Sequence, residues 1–139
     1  MSRRRLIALI ACLSALLAPA GSADGYSVGT RAQIEWVRRA ASNFVSAELA
    51  RNGAGACAIL NAPLRVTLRH RTCAQRWDAR LAAMSRAPGR RAQLRRQLRE
   101  IATGAVVIHG DRATLGLSSP LFNGPNRFLW TENCWMLEG

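Results

Sequence analysis

Side chains able to do chemistry are few in this chain, and their spacing decides what chemistry is open to it. Cysteines stand at Cys12, Cys57, Cys73 and Cys134, and histidines at His70 and His109. Neither His has a partner set at metal-ligand spacing, such as a second His three or four residues away together with a carboxylate or Cys, and both are expected to face solvent. A Gly-rich phosphate loop, a G-x-S-x-G elbow and paired carboxylates on one short segment are all missing from the sequence. The expectation is a protein with no catalytic residue, no metal and no cofactor, whose work is binding.

The cysteines read as structural. Cys57 and Cys73 fall on neighbouring helical segments either side of Pro63, and a disulfide between them would add about 3 kcal/mol by restricting the unfolded chain. Cys134, between Asn133 and Trp135, is then left over. It reads as a half-buried free thiol packing as a small hydrophobe, because no neighbouring base would activate it.

Cys12 belongs to a different kind of segment. Arg3, Arg4 and Arg5 precede an apolar run from Leu6 to Leu17, and Ala18-Pro19-Ala20 or Gly21-Ser22-Ala23 supplies small residues for cleavage. Residues 1–23 therefore read as a secretory signal peptide. Ser2-Arg3-Arg4-Arg5-Leu6-Ile7 also fits a twin-arginine export pattern, and Leu9-Ile10-Ala11-Cys12 is a minor candidate for lipidation. The apolar run falls short of the roughly twenty residues that span a bilayer. A secreted or periplasmic domain over residues 24–139, with no transmembrane span after cleavage, is expected.

Charge is the strongest bias in the composition. The 139 residues carry a formal +12, and every one of the 20 basic residues is Arg. Such a skew fits a nucleic-acid binder, and it fits equally a codon usage rich in Arg, Ala and Gly, which is the preferred reading. Location matters more than the total. Residues 64–101 hold eleven Arg against two acids, whereas the rest of the segment after residue 23 holds six of each. Arg91, Arg95 and Arg99 step by four along one stripe and form a candidate face for an anionic envelope component. Nucleic acid ranks last as partner, because the aromatics lie mostly outside this stretch and read as core rather than as platforms for bases.

The elements that must position these residues follow from periodicity. Ile34, Val37, Ala41, Phe44 and Val45 recur at helical spacing, so Thr30 to Arg51 reads as one helix stopped by a left-handed Asn52-Gly53. A short helix at Gly55 to Leu60, a longer one from Leu64 to Arg86 and a third from Arg90 to Ile101 follow. Gly110-Asp111 separates two runs of branched residues, Ala105 to His109 and Arg112 to Leu117, as a hairpin. Arg127 to Thr131 and Cys134 to Leu137 form a second pair around Glu132-Asn133. Helices first and antiparallel strands afterwards define an α+β domain, with helices packed on a curved sheet of about four strands.

Several short motifs lie in that order: Ala56-Cys57-Ala58-Ile59-Leu60, then Cys73, then His109-Gly110-Asp111-Arg112-Ala113-Thr114, then the closing Trp135. Together they resemble small secreted bacterial proteins of the nuclear-transport-factor-2-like superfamily, which share a cystatin-like α+β roll. The resemblance spans nearly the whole segment after residue 23 and departs at Asn133-Cys134, where the family tends to have glycines, and in the extra Arg90 to Ile101 stretch. It implies a cone closed by helices, supports the Cys57–Cys73 bridge, and offers the cone as a pocket for a small apolar ligand. Isomerases and dehydratases of the superfamily use Tyr, Asp or His inside the cone, so an enzyme of that kind is the alternative. Here Tyr26 lies near the start of the exported segment, Asp78 on an Arg-rich helix and Asp111 in a turn.

Overall fold

The computed structural model describes residues 27–61, 71–121, 126–131 and 133–138. The expected leader, Tyr26 and His70 lie outside them. Four helices precede four strands: α1 (Arg31–Leu49), α2 (Gly53–Ile59), α3 (Cys73–Met84), α4 (Arg90–Thr103), β1 (Val106–His109), β2 (Arg112–Leu115), β3 (Arg127–Thr131) and β4 (Cys134–Leu137). The fold is α+β, and the strands form one antiparallel meander in the order β1-β2-β3-β4.

Local chemistry sets the helix starts. Thr30 accepts from the Gln33 N–H while the Gln33 side chain accepts from the Thr30 N–H, and Thr72 and Gln75 repeat the arrangement at α3. Each box satisfies two N–H groups that the first turn leaves without intrahelical partners. Two sequence expectations change here. The third helix begins at Cys73, not Leu64: Arg71 pairs in a bridge and Thr72 is the cap, while residues 62–70 lie outside the described set. The stop after α1 also differs, since the left-handed residue is Arg51, at φ 53°. Asn52 instead caps α2, accepting from the Gly55 N–H.

Gly53 serves a close approach rather than a left-handed turn. A Cβ there would meet the Ala74 carbonyl and lie 2.5 Å from Asp78 N, so α2 and α3 touch backbone to backbone. The Cys57–Cys73 disulfide fastens the same contact, and the Asp78 carboxylate accepts from the Gly53 N–H at 2.7 Å.

The two hairpins turn through two residues each. Gly110 takes φ 59° in the first, where a Cβ would be strained, and Asn133 takes φ 63° in the second. Asn is among the few side-chain-bearing residues that tolerate that region, so it does the work of a glycine. Both outer strands gain short partners: the Val28 N–H donates to Val106 O beside β1, and the Asn61 N–H donates to Leu137 O beside β4. Each bridge occupies part of an edge that would otherwise be open to intermolecular pairing.

The core lies between α1 and the sheet. Val37, Ala41, Phe44 and Val45 from α1 meet Val106, Leu115, Phe128, Trp135 and Leu137 from the strands, all buried. Phe44 meets Trp77 of α3 edge to face at 5.5 Å. Trp130 stacks on Trp36 at 5.6 Å and takes Trp135 against it at 5.4 Å, which closes one end of the layer. Cys134 and Met136 alternate with Trp135 and Leu137 and so leave the sheet on the side away from α1. Cys134 is 8% exposed and disulfide-bonded. That overturns the free-thiol expectation: Cys134 is buried and disulfide-bonded, not half-buried and free.

Candidate functional site

Helix α4 carries the densest charge in the described structure, and its two sides differ sharply. Leu94, Gln97 and Ile101 are buried, whereas Arg91, Arg95, Arg96 and Arg99 are exposed. The inward stripe at three- and four-residue steps fixes which way the arginines point. Four residues of helix rise about 6 Å, so Arg91, Arg95 and Arg99 make a row about 12 Å long between their Cα atoms.

Polar contacts hold the back of this helix. Gln97 Nε2 donates to Ser119 Oγ at 3.0 Å and to Pro120 O at 3.1 Å, and Asn126 ties the same loop by accepting from the Leu121 N–H and donating to Leu115 O. Near the C-terminus, Ser118 donates to Glu100 through both its hydroxyl and its N–H. Those bonds hold the Glu100 carboxyl below its ordinary range, helped by the nearby Arg96 and Arg99.

A buried ion pair anchors the other end. Arg90, the first residue of α4, donates through Nη2 to Glu48 Oε2 at 2.6 Å, with the carboxylate side chain 3% exposed. Burial pushes the Glu48 carboxyl above its usual range, against the lowering effect of Arg90 and, more weakly, Arg80. Arg80 lies over the Trp77 ring at 5.2 Å. The last turn of α1, α3 and the start of α4 thus meet at one carboxylate.

Pairing separates the arginines into two kinds. Arg38 is buried, bonded to Glu35 and to Gly104 O, and Arg112 reaches Glu138. Arg91 and Arg95 have no hydrogen bond or ion pair among the described residues, and Arg96 and Arg99 have only the Coulombic neighbourhood of Glu100. The sequence placed Arg91, Arg95 and Arg99 on a common stripe, and the structure holds all of them outward on one rigid helix. Arg96 joins that surface unforeseen, although its position one residue after Arg95 made it readable. The anchoring pair Glu48–Arg90 was not readable, because it joins residues 42 apart.

The residues considered for an enzyme are dispersed. Asp78 is occupied at the start of α2, Asp111 is exposed in the first hairpin turn, and His109 is exposed at the end of β1. Among the described residues no group of His, Cys, Asp or Glu has the makings of a metal site, and no helix is long and apolar enough to cross a membrane. The chain matches no protein family, no curated protein and no solved structure.

Proposed function

We propose that this chain is an exported, non-catalytic domain that binds an anionic component of the cell envelope through the outer face of α4. The observation that carries the reading is the contrast on that helix: its back is fixed by Gln97, Glu100 and the Arg90–Glu48 pair, while Arg91 and Arg95 face outward with no hydrogen bond or ion pair among the described residues and Arg96 and Arg99 have only Glu100 nearby. Unpaired charge held on a rigid support costs little reorganisation when a partner arrives. The basic leader followed by an apolar run and small residues supports export, and the disulfide between Cys57 and Cys73 is compatible with an oxidising compartment.

A cystatin-like roll of the nuclear-transport-factor-2-like kind fits the order of helices before a four-strand meander. In such a roll the reactive groups or a small apolar ligand would occupy the space between helices and sheet. Here that space holds Phe44, Trp77, Phe128, Leu137 and their neighbours, which favours binding on the outside over isomerase or dehydratase chemistry within. The test is retention on an immobilised anionic envelope fraction at low salt. Arg95→Ala with Arg99→Ala should abolish retention while leaving the fold intact by circular dichroism, and unchanged retention of that variant would refute the assignment.

A further inference from the structure

The exposed face of α4 has a shape as well as a charge. Its large apolar residues Leu94 and Ile101 are buried and Leu98 is half-buried, and among the described residues the exposed large apolar side chain is Val28, beside β1. A helix that lies in a membrane interface needs an apolar face to sink into it, and α4 has spent its apolar face on the core. Aromatic platforms for bases are lacking on it too: Trp77 and Trp135 are buried, and Trp36 and Trp130 stack on each other. What remains is a row of guanidinium forks that winds about 40° around the helix per four-residue step, each suited to two oxygens of one anion.

We propose that the occupant is a linear, base-free phosphodiester chain lying lengthwise along α4, one phosphate to each of Arg91, Arg95 and Arg99, with Arg96 beside them. A diester phosphate keeps a single charge and two unsubstituted oxygens, the match for one fork. With roughly 1.5 Å per backbone bond, a glycerol phosphate repeat can span the roughly 6 Å step of the arginine row. Arg86, exposed in the turn before α4, adds one more basic side chain ahead of the helix. This assignment rests on the reading that α4 binds anions, and it names which anion and in what orientation.

The experiment titrates the full chain with glycerol phosphate oligomers of increasing length, with single-stranded DNA of matched charge, and with phosphatidylglycerol vesicles. Affinity for the oligomers should rise at least tenfold from one repeat to four and then level off. The logarithm of the binding constant should fall with the logarithm of salt at a slope of about −3 for four arginines on a flexible chain. Arg91→Ala, Arg95→Ala and Arg99→Ala together should remove most of that slope. Affinity independent of oligomer length, tighter binding to the DNA, or tighter binding to the vesicles would each overturn the assignment. Binding to vesicles alone would leave α4 an anion-binding face for a different partner, whereas binding to none of the probes at low salt would remove that broader reading as well.

Discussion

Arg90 and Glu48 join the first residue of α4 to the last turn of α1 across 2.6 Å, in a setting where the carboxylate is nearly sealed from water. A carboxylate in the last turn of a helix opposes the helix dipole, and burial adds a desolvation cost. The guanidinium from α4 offsets both, so the helix that carries the exposed arginines is docked by one of its own.

Arg90→Ala should therefore destabilise the fold by about 3–5 kcal/mol at neutral pH, the usual cost of leaving one member of a buried pair alone. Its pH dependence has a definite sign. Glu48 already sits above the ordinary carboxylate value of 4.5 through burial, and losing Arg90 raises it further. A raised folded-state value favours folding below the unfolded value and loses that contribution as pH rises through the folded one. The stability gap between wild type and variant, measured by denaturant unfolding, should widen from about pH 4.5 toward neutrality.

Glu100 should behave in the opposite sense. Hydrogen bonds from Ser118 hold its carboxyl below 4.5, so its contribution is present above that value and fades as pH falls through the lower folded value. Ser118→Ala should flatten the loss of stability on acidification in that range. An unchanged acid limb in unfolding experiments would place the effect elsewhere.

Legibility from sequence followed the range of the interactions. The strand pairs were readable because branched runs, Gly110 and Asn133 act over a few residues, and the Cys57–Cys73 bridge because the two cysteines, 16 residues apart, fall on neighbouring helical segments. The start of α3 was also written locally, in Thr72 and Gln75, but the apolar residues Leu64 and Leu68 drew the helix too far back. Arg38 and Gln97 were not readable as buried, nor Arg90 as half-buried against Glu48. Each sits on a helix stripe that looks solvent-facing until Gly104, Glu48 and Pro120 are brought to it from distant parts of the chain. The arginine face itself was visible as spacing, while its rigidity depends on those long-range contacts.

Gly53→Ala tests the close approach of α2 and α3. The added methyl would strike the Ala74 carbonyl and the Asp78 backbone, neither of which can swing aside as a flexible side chain does. A loss of about 1–3 kcal/mol is expected from overpacking. A thermal midpoint equal to that of wild type would show that the two helices separate easily.

Reduction of the Cys57–Cys73 bond should lower stability by about 3 kcal/mol, the loop-closure value for a bridge of this span. Cys57→Ala with Cys73→Ala isolates that bond from the one at Cys134. The α2–α3 pair should show faster amide exchange in that variant, with the sheet less affected.

The most direct measurement compares two variants that lose the same charge from different faces. Arg95→Ala with Arg99→Ala removes two arginines from α4, and Arg112→Ala with Arg127→Ala removes two from exposed positions on the strands. Binding of each to an anionic polymer is followed against salt concentration. If α4 is the binding face, the α4 variant loses most of its affinity and its salt slope flattens by about 1.4 for two contacts, while the strand variant stays close to wild type. Equal losses in the two variants would mean that only the net charge of the chain matters, and would contradict a localised binding face on α4.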